Sequence, residues 1–173
     1  GVVTLLMPNN LDALKMMLAR FSVDGLLLTG GNSMAVYGGD APERDEVETF
    51  ALEFALNNSL PVLGVCRGMQ FIQNYYGVGL DKVKGHVATR IELKNISGSY
   101  SRFYNDLPDV NAYHKLGTTR TNGALKVSAT SKKGIVMATE HSELKIAACM
   151  WHPERESPFK ASDIKWFKEF YGV

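Results

Sequence analysis

Cys66 stands where an apolar run gives way to a helix. Pro61-Val62-Leu63-Gly64-Val65 reads as a strand, and Gly68 to Tyr76 reads as a helix ended by Gly77. A cysteine at such a junction lies on a tight turn and faces solvent. It meets the unpaired N–H groups and the positive dipole end of the helix, which favour a thiolate. That is the position of a nucleophile, the thiol counterpart of the serine elbow of hydrolases.

A nucleophile needs a base and a group that orients the base. Both are available in Cys149-Met150-Trp151-His152-Pro153-Glu154-Arg155. In an extended segment residues i and i+2 point to one side. The Glu154 carboxylate can then hold one ring nitrogen of His152 while the other faces Cys66, the logic of a Cys-His-acid triad. On its own, a His-x-Glu pair more often belongs to a surface loop; the elbow cysteine raises its standing. Cys149 lies inside the apolar run Ile146 to Met150 without a polar companion and reads as core. Arg155 and Glu156 read as solvated charges or rim contacts.

A second strand-like run, Leu26-Leu27-Leu28-Thr29, ends on Gly30-Gly31-Asn32-Ser33. The glycines suit a plain turn. They also leave a backbone N–H unobstructed, so that it can reach a developing oxyanion. Arg67, immediately after the cysteine, offers a second N–H.

These three segments together resemble the class I glutamine amidotransferase superfamily, with Gly64-Val65-Cys66-Arg67-Gly68-Met69-Gln70, His152-Pro153-Glu154 and the glycine loop in family order. The resemblance implies an open, mostly parallel central sheet flanked by helices, of flavodoxin-like type. It implies hydrolysis of a γ-glutamyl amide through a thioester on Cys66, with His152 and Glu154 completing the triad and no metal or organic cofactor. Gly31 is the implied oxyanion donor beside Arg67, with Gly30 the neighbouring alternative. Gly30, Asn32 and Gln70 are implied substrate contacts, Gln70 at the α-amino-acid end of the glutamyl group. Asn111-Ala112-Tyr113-His114 resembles a pocket-lining segment of the Asn-Ser-x-His kind, with Ala112 in place of the common serine, and marks Tyr113 and His114 as pocket residues. His86 resembles a further histidine near the site and suits a structural role equally; His141 reads as a turn residue.

Tyr37-Gly38-Gly39, the acidic stretch Asp40 to Asp45 with its Arg44-Asp45 pair, and the long helix that follows resemble the stand-alone γ-glutamyl-γ-aminobutyrate hydrolase subgroup. Met150 to Glu156 resembles proteins of bacterial surface-polysaccharide clusters, among them γ-glutamyl-CDP-amidate hydrolases. A nucleotide conjugate as substrate would call for cations at the pocket rim, with Lys82, Lys84, Arg90, Arg102 and Lys115 as candidates. The alternatives are hydrolysis of another γ-glutamyl amine, or a glutaminase that passes ammonia to a synthase.

The elements that must position these residues alternate. Val2–Met7 reads as strand, Leu11–Phe21 as helix, Gly25–Thr29 as strand, Gly30–Asp40 as loop and Pro42 to Asn57 as helix. The order argues for a parallel α/β sheet, which binds ligands at the carboxyl ends of its strands. The later runs His86–Leu93, Val110–Tyr113, Leu125–Ala129, Ile135–Thr139 and Ile146–Met150 read as short strands, some forming a meander at one side of the main sheet. Lys94–Asp109 reads as a flexible loop. Asp163–Tyr171 reads as a closing helix with Ile164, Phe167 and Phe170 facing in. Superfamily members usually carry a further strand and helix before Val2–Met7, and the expectation is that these lie upstream.

The 173 residues, 45% of them hydrophobic, suit one domain over 1–173. With 19 basic and 18 acidic residues the net charge is +1, so no nucleic-acid footprint is visible. Two cysteines without a C-x-x-C spacing suggest neither disulfides nor zinc, and no histidine or cysteine pair has metal-ligand spacing. A reactive thiol suits a reduced, cytoplasmic compartment. No run of 18 apolar residues predicts a membrane span. The implied partner is a small-molecule γ-glutamyl substrate; self-association stays open.

Overall fold

The structure, a computed structural model, describes residues 1–173. Its centre is β2 (Val62–Val65), whose four residues are all buried, the signature of a strand covered on both faces. β2 pairs in parallel with β1 (Leu26–Leu28) on one side and with β9 (Ile146–Cys149) on the other. From β9 the sheet continues antiparallel through β8 (Val136–His141) to β7 (Leu125–Thr130), giving the order β1-β2-β9-β8-β7. The sheet is therefore mixed. Its parallel part is the three strands that carry the site, and its antiparallel part is the anticipated meander.

Helices flank this sheet. α1 (Leu11–Arg20) is capped by Asn10, whose side chain accepts from Ala13 N–H at 2.9 Å. α2 (Pro42–Asn57) opens with Pro42 at its first turn and with Glu43 and Asp45 at the positive dipole end. It buries Val47, Glu48, Ala51, Leu52 and Ala55, a helical stripe with one carboxylate in it. α3 (Arg67–Tyr75) packs on β1 and β2 so closely that a Cβ at Gly68 would lie 2.1 Å from the Leu28 carbonyl oxygen. No helix is long and apolar enough to cross a membrane.

Two ribbons lie outside the main sheet. β3 (Asp81–Lys82) pairs antiparallel with β6 (Leu116–Gly117), and β4 (Val87–Ile91) with β5 (Val110–Tyr113).

Three expectations are corrected. Val2–Met7 is not a strand: no backbone ladder reaches it, and Val3 and Leu6 are 90% and 87% exposed. An apolar run becomes a strand only where another strand completes its hydrogen bonds. Lys94–Asp109 is docked rather than loose. It contains α4 (Ser101–Asn105), buries Phe103 and Tyr104, and donates Ser99 N–H to the buried Glu140 carboxylate at 2.9 Å. In α5 (Ala161–Tyr171) the inward stripe is Ser162, Asp163, Trp166 and Phe170, while Ile164 is exposed. Trp166 sets that phase by packing edge-on to Tyr104, with ring centroids 5.2 Å apart.

Candidate active site

Parallel register decides where the site forms. Leu28 pairs with Gly64 and Val65 with Cys149, so the chain leaves β1, β2 and β9 at the same end of the sheet. Thr29-Gly30-Gly31, Cys66 and His152 follow those ends directly.

Cys66 has φ +49° and ψ −101°, a conformation that a residue with a Cβ adopts only under constraint, at a cost of roughly 1–3 kcal/mol. Flanking hydrogen bonds hold it there. Its N–H donates to the Cys149 carbonyl at 2.7 Å, and its carbonyl accepts from Gln70 N–H at 3.0 Å as α3 begins. The tight turn is as expected, but Cys66 does not face solvent; it is buried. Gly30 and His152 cover it. A Cβ added to Gly30 would lie 2.7 Å from His152 Cε1 and 3.8 Å from the Cys66 Cβ. Glycine is required there by proximity alone.

His152 is held from three directions. Its N–H donates to Asn111 Oδ1 at 2.9 Å, and its carbonyl accepts from Asn111 Nδ2 at 2.8 Å, so one buried amide clamps the backbone. Asn111 Nδ2 also donates to Glu156 Oε1 at 2.8 Å. Nδ1 of His152 lies 2.6 Å from Glu154 Oε1. The two side chains meet because Pro153–Arg155 is a single 3-10 turn capped by His152, not because the segment is extended. Burial opposes a charge on His152. The neighbouring Cys66 and Glu154 outweigh burial and push the imidazole up to about 9. Burial likewise works against the Glu154 carboxylate, but the His152 hydrogen bond and the nearby positive charges carry it below the ordinary range.

Neither anticipated oxyanion donor spends its N–H on a hydrogen bond within the protein. Gly31 N–H makes no hydrogen bond within the protein. Its φ of +151° lies where glycine is favoured. Arg67 opens α3, so its N–H has no partner in the helix. The Arg67 side chain does not reach toward a ligand; it is buried and ion-paired with Asp45 and Glu48.

The other expected residues divide. Tyr113 is half-exposed, sits edge-on to His152 with centroids 5.8 Å apart, and carries the Arg155 guanidinium over its ring at 4.5 Å. His114 is buried, with neither ring nitrogen bonded, and its ring lies 5.0 Å from that of His86. Burial, then the charges of His86 and His152, push its pKa down to about 3, so it stands beside His152 as a neutral imidazole. Gln70 is buried and donates to the Leu116 carbonyl at 3.0 Å, which ties α3 to β6. Asn32 has both ends of its amide engaged, accepting from Arg44 at 3.2 Å and donating to Asp40 at 3.1 Å. Cys149 is fully buried, and burial pushes its thiol well up, as befits a core residue. Of the cations expected at the rim, Arg90 pairs with Asp109 and Glu156 and Arg102 with Glu169, whereas Lys82, Lys84 and Lys115 are exposed and make no ion pair. Asn111 escapes sequence reasoning. Its segment signals through Tyr113 and His114, and only the approach of β5 to His152 gives the asparagine its task.

A strained cysteine elbow on a parallel strand, a histidine–carboxylate pair and a glycine loop at one sheet end define a class of cysteine-dependent hydrolase of the glutamine amidotransferase type. The chain belongs to the Peptidase C26 family, whose model matches residues 1–154. It is 25% identical over 154 residues to the γ-glutamyl-CDP-amidate hydrolase of Campylobacter jejuni, covering 87% of this chain and 71% of that enzyme. It is 30% identical over 192 residues to a Mycobacterium tuberculosis protein described as a glutamine amidotransferase. That match covers 97% of this chain but only 61% of the mycobacterial protein. Among solved structures, a Thermoplasma acidophilum protein described as part of a GMP synthase superimposes with a TM-score of 0.73 at 22% identity, over 95% of this chain and 77% of that one, which is a likeness of fold.

Proposed function

We propose that residues 1–173 act as one domain that hydrolyses a γ-glutamyl amide through a thioester on Cys66. The observation that carries the reading is the packing of Gly30 against both Cys66 and His152, with Glu154 2.6 Å behind the ring. His152 takes the proton of Cys66 Sγ as sulfur bonds to the γ-carbonyl carbon. The oxyanion rests between Gly31 and Arg67 N–H groups. When the tetrahedral intermediate collapses, the C–N bond breaks and His152 gives its proton to the departing nitrogen. His152 then takes a proton from water, whose oxygen attacks the thioester. Glutamate leaves, and the proton returns to sulfur. A reducing compartment suits this thiol. Gly30, Asn32, Gln70, Tyr113 and His114 surround the substrate in this reading, Asn32 and Gln70 by bracing the walls.

Within that class, the reading favoured is a stand-alone hydrolase of a large γ-glutamyl conjugate, with γ-glutamyl-CDP-amidate as the first candidate. Similarity to the Campylobacter enzyme supports it. So does the Tyr113 ring with Arg155 beside His152, an aromatic surface suited to a base, and the exposed, unpaired Lys82, Lys84 and Lys115 are the candidate cations for a diphosphate. Binding energy from such a remote group can be used in the transition state.

The test is glutamate release from glutamine, γ-glutamyl-GABA and γ-glutamyl-CDP-amidate, each with wild type and Cys66→Ala. A preference of about a hundredfold in kcat/KM for the nucleotide conjugate, about 2.7 kcal/mol, is the expected result. Equal turnover of free glutamine overturns the nucleotide reading and returns the protein to ammonia-supplying glutaminases. Release that survives Cys66→Ala overturns the thioester reading altogether.

A further inference from the structure

Two arginines and two carboxylates lie beneath the site. Arg44 is the centre of the group. Its Nη2 donates to the Thr29 carbonyl at 3.3 Å and the Gly30 carbonyl at 3.1 Å, and its Nη1 to Asn32 Oδ1 at 3.2 Å. Its Nε donates to Glu48 Oε1 at 2.8 Å. The other Glu48 oxygen takes Arg67 Nη1, while Arg67 Nη2 goes to Asp45 Oδ1. Asp45 Oδ2 accepts the Ala35 N–H at 2.7 Å, just past the glycine loop. The four charges cancel. The Glu48 and Arg67 side chains are 3% and 1% exposed, so the inner half of the network is interior, while Arg44 and Asp45 are partly exposed.

The network spans a gap that the backbone leaves open. The two N–H groups aimed at the oxyanion come from different segments, the loop after β1 and the start of α3. The β1–β2 ladder stops at Leu28 and Gly64, before either. Arg44 acts directly on the first of them. A trans peptide is planar, with its C=O and N–H pointing opposite ways. Gripping the Gly30 carbonyl therefore turns the Gly31 N–H away from Arg44. Gly30 itself is packed against His152 and Cys66. The guanidinium sits so close under Gly31 that a Cβ there would fall 2.1 Å from Arg44 Nη1. Glu48 then couples the grip on this peptide to Arg67, the residue that carries the second N–H.

We propose that Arg44, anchored through Glu48 to Arg67, is a positioning residue that orients the Gly30–Gly31 peptide and fixes its distance from the elbow; the inference rests on the thioester reading above. It touches no substrate. Its effect belongs to the step in which negative charge develops on oxygen.

Two reactions of Cys66 separate that effect from a general loss of structure. Turnover of γ-glutamyl-p-nitroanilide passes through an oxyanion. Alkylation of Cys66 by iodoacetamide displaces iodide at a saturated carbon and forms none. Arg44→Met should lower kcat about a hundredfold, the scale of losing one oxyanion donor, while KM stays within about threefold and the alkylation rate within about twofold of wild type. Arg44→Lys keeps the charge and can reach one carbonyl but not the whole set, and should fall between. Should Arg44→Met fail to fold, Arg44→Lys is measured in the same two assays, and lowered kcat with unchanged alkylation supports the proposal. Wild-type kcat in either variant overturns it, as does a parallel fall of turnover and alkylation. Wild-type turnover by Cys66→Ala overturns the thioester reading and this proposal with it, a result read from a different variant.

Discussion

Glu154→Gln isolates the charge of the carboxylate, because the amide preserves shape and an acceptor oxygen. Oε1 lies 2.6 Å from His152 Nδ1. Two unit charges at that separation attract by about 1.6 kcal/mol in bulk water and by about 6 kcal/mol at an effective dielectric of 20. The Glu154 side chain is 57% exposed while that of His152 is 4% exposed, so solvent screens the pair and the lower figure applies. About 1.6 kcal/mol corresponds to roughly a 15-fold loss of rate from charge alone, and to about one pKa unit on the imidazole. Looser ring orientation adds to this, for a total between about 15-fold and a hundredfold, less than the loss expected for His152→Ala, which removes the base itself. The pH dependence gives the sharper readout. Protonation of the leaving nitrogen needs the imidazolium, so the rate should fall as pH rises through about 9 in the wild type. In the variant the alkaline fall should move about one unit lower. The assay is kcat/KM for glutamate release between pH 5 and 10, with buffers matched in ionic strength. A fully active variant whose alkaline fall stays in place would refute the reasoning and assign the ring's orientation to another group.

Cys66→Ala should abolish turnover, and a glutamine-analogue alkylator should label Cys66 alone by mass spectrometry; label on the buried Cys149 would contradict the assignment. Gly30→Ala should cut kcat by about a hundredfold or more through displacement of the His152 ring, with the thermal midpoint changed little; wild-type turnover would show that the close approach is not needed. Asn111→Ala should lower kcat by roughly tenfold, because the His152 backbone loses both clamping hydrogen bonds, and unchanged kcat would remove Asn111 from the site. Asp163, buried with one oxygen on Trp151 Nε1, is raised to about 6 chiefly by burial. A carboxyl with a raised folded pKa loses stability as pH rises from its unfolded value through 6, here by about 3 kcal/mol in all. Asp163→Asn should therefore raise the thermal midpoint at pH 7.5 and leave it nearly unchanged at pH 4, and an equal shift at both would refute the charge argument.

The sequence by itself determined what is written locally. The elbow at Cys66 is legible because a buried strand, a cysteine and a helix start are consecutive, and backbone hydrogen bonds within a few residues enforce the turn. His152 and Glu154 are legible as a pair because they are two apart, although a 3-10 turn rather than an extended segment brings them together. Whether Cys66 faces solvent is not legible, since its cover comes from Gly30 and His152, in the loops after two other strands. Val2–Met7 reads as a strand because composition records apolarity but not the partner that a ladder requires. In α5 the periodicity places Phe170 correctly and Phe167 at the core's edge but misplaces Ile164, because Trp166 and Asp163 take the inward face once Tyr104 and Trp151 are in place to receive them. Nothing local in the sequence marks Glu48 or the Arg67 side chain for burial. Their burial depends on α2 and α3 arriving side by side over β1, where each offsets the other's desolvation. The reacting groups were thus set by short-range sequence. The network beneath the glycine loop and the clamp on His152 were decided by tertiary packing, because contacts between side chains far apart in the chain leave no periodic trace in it.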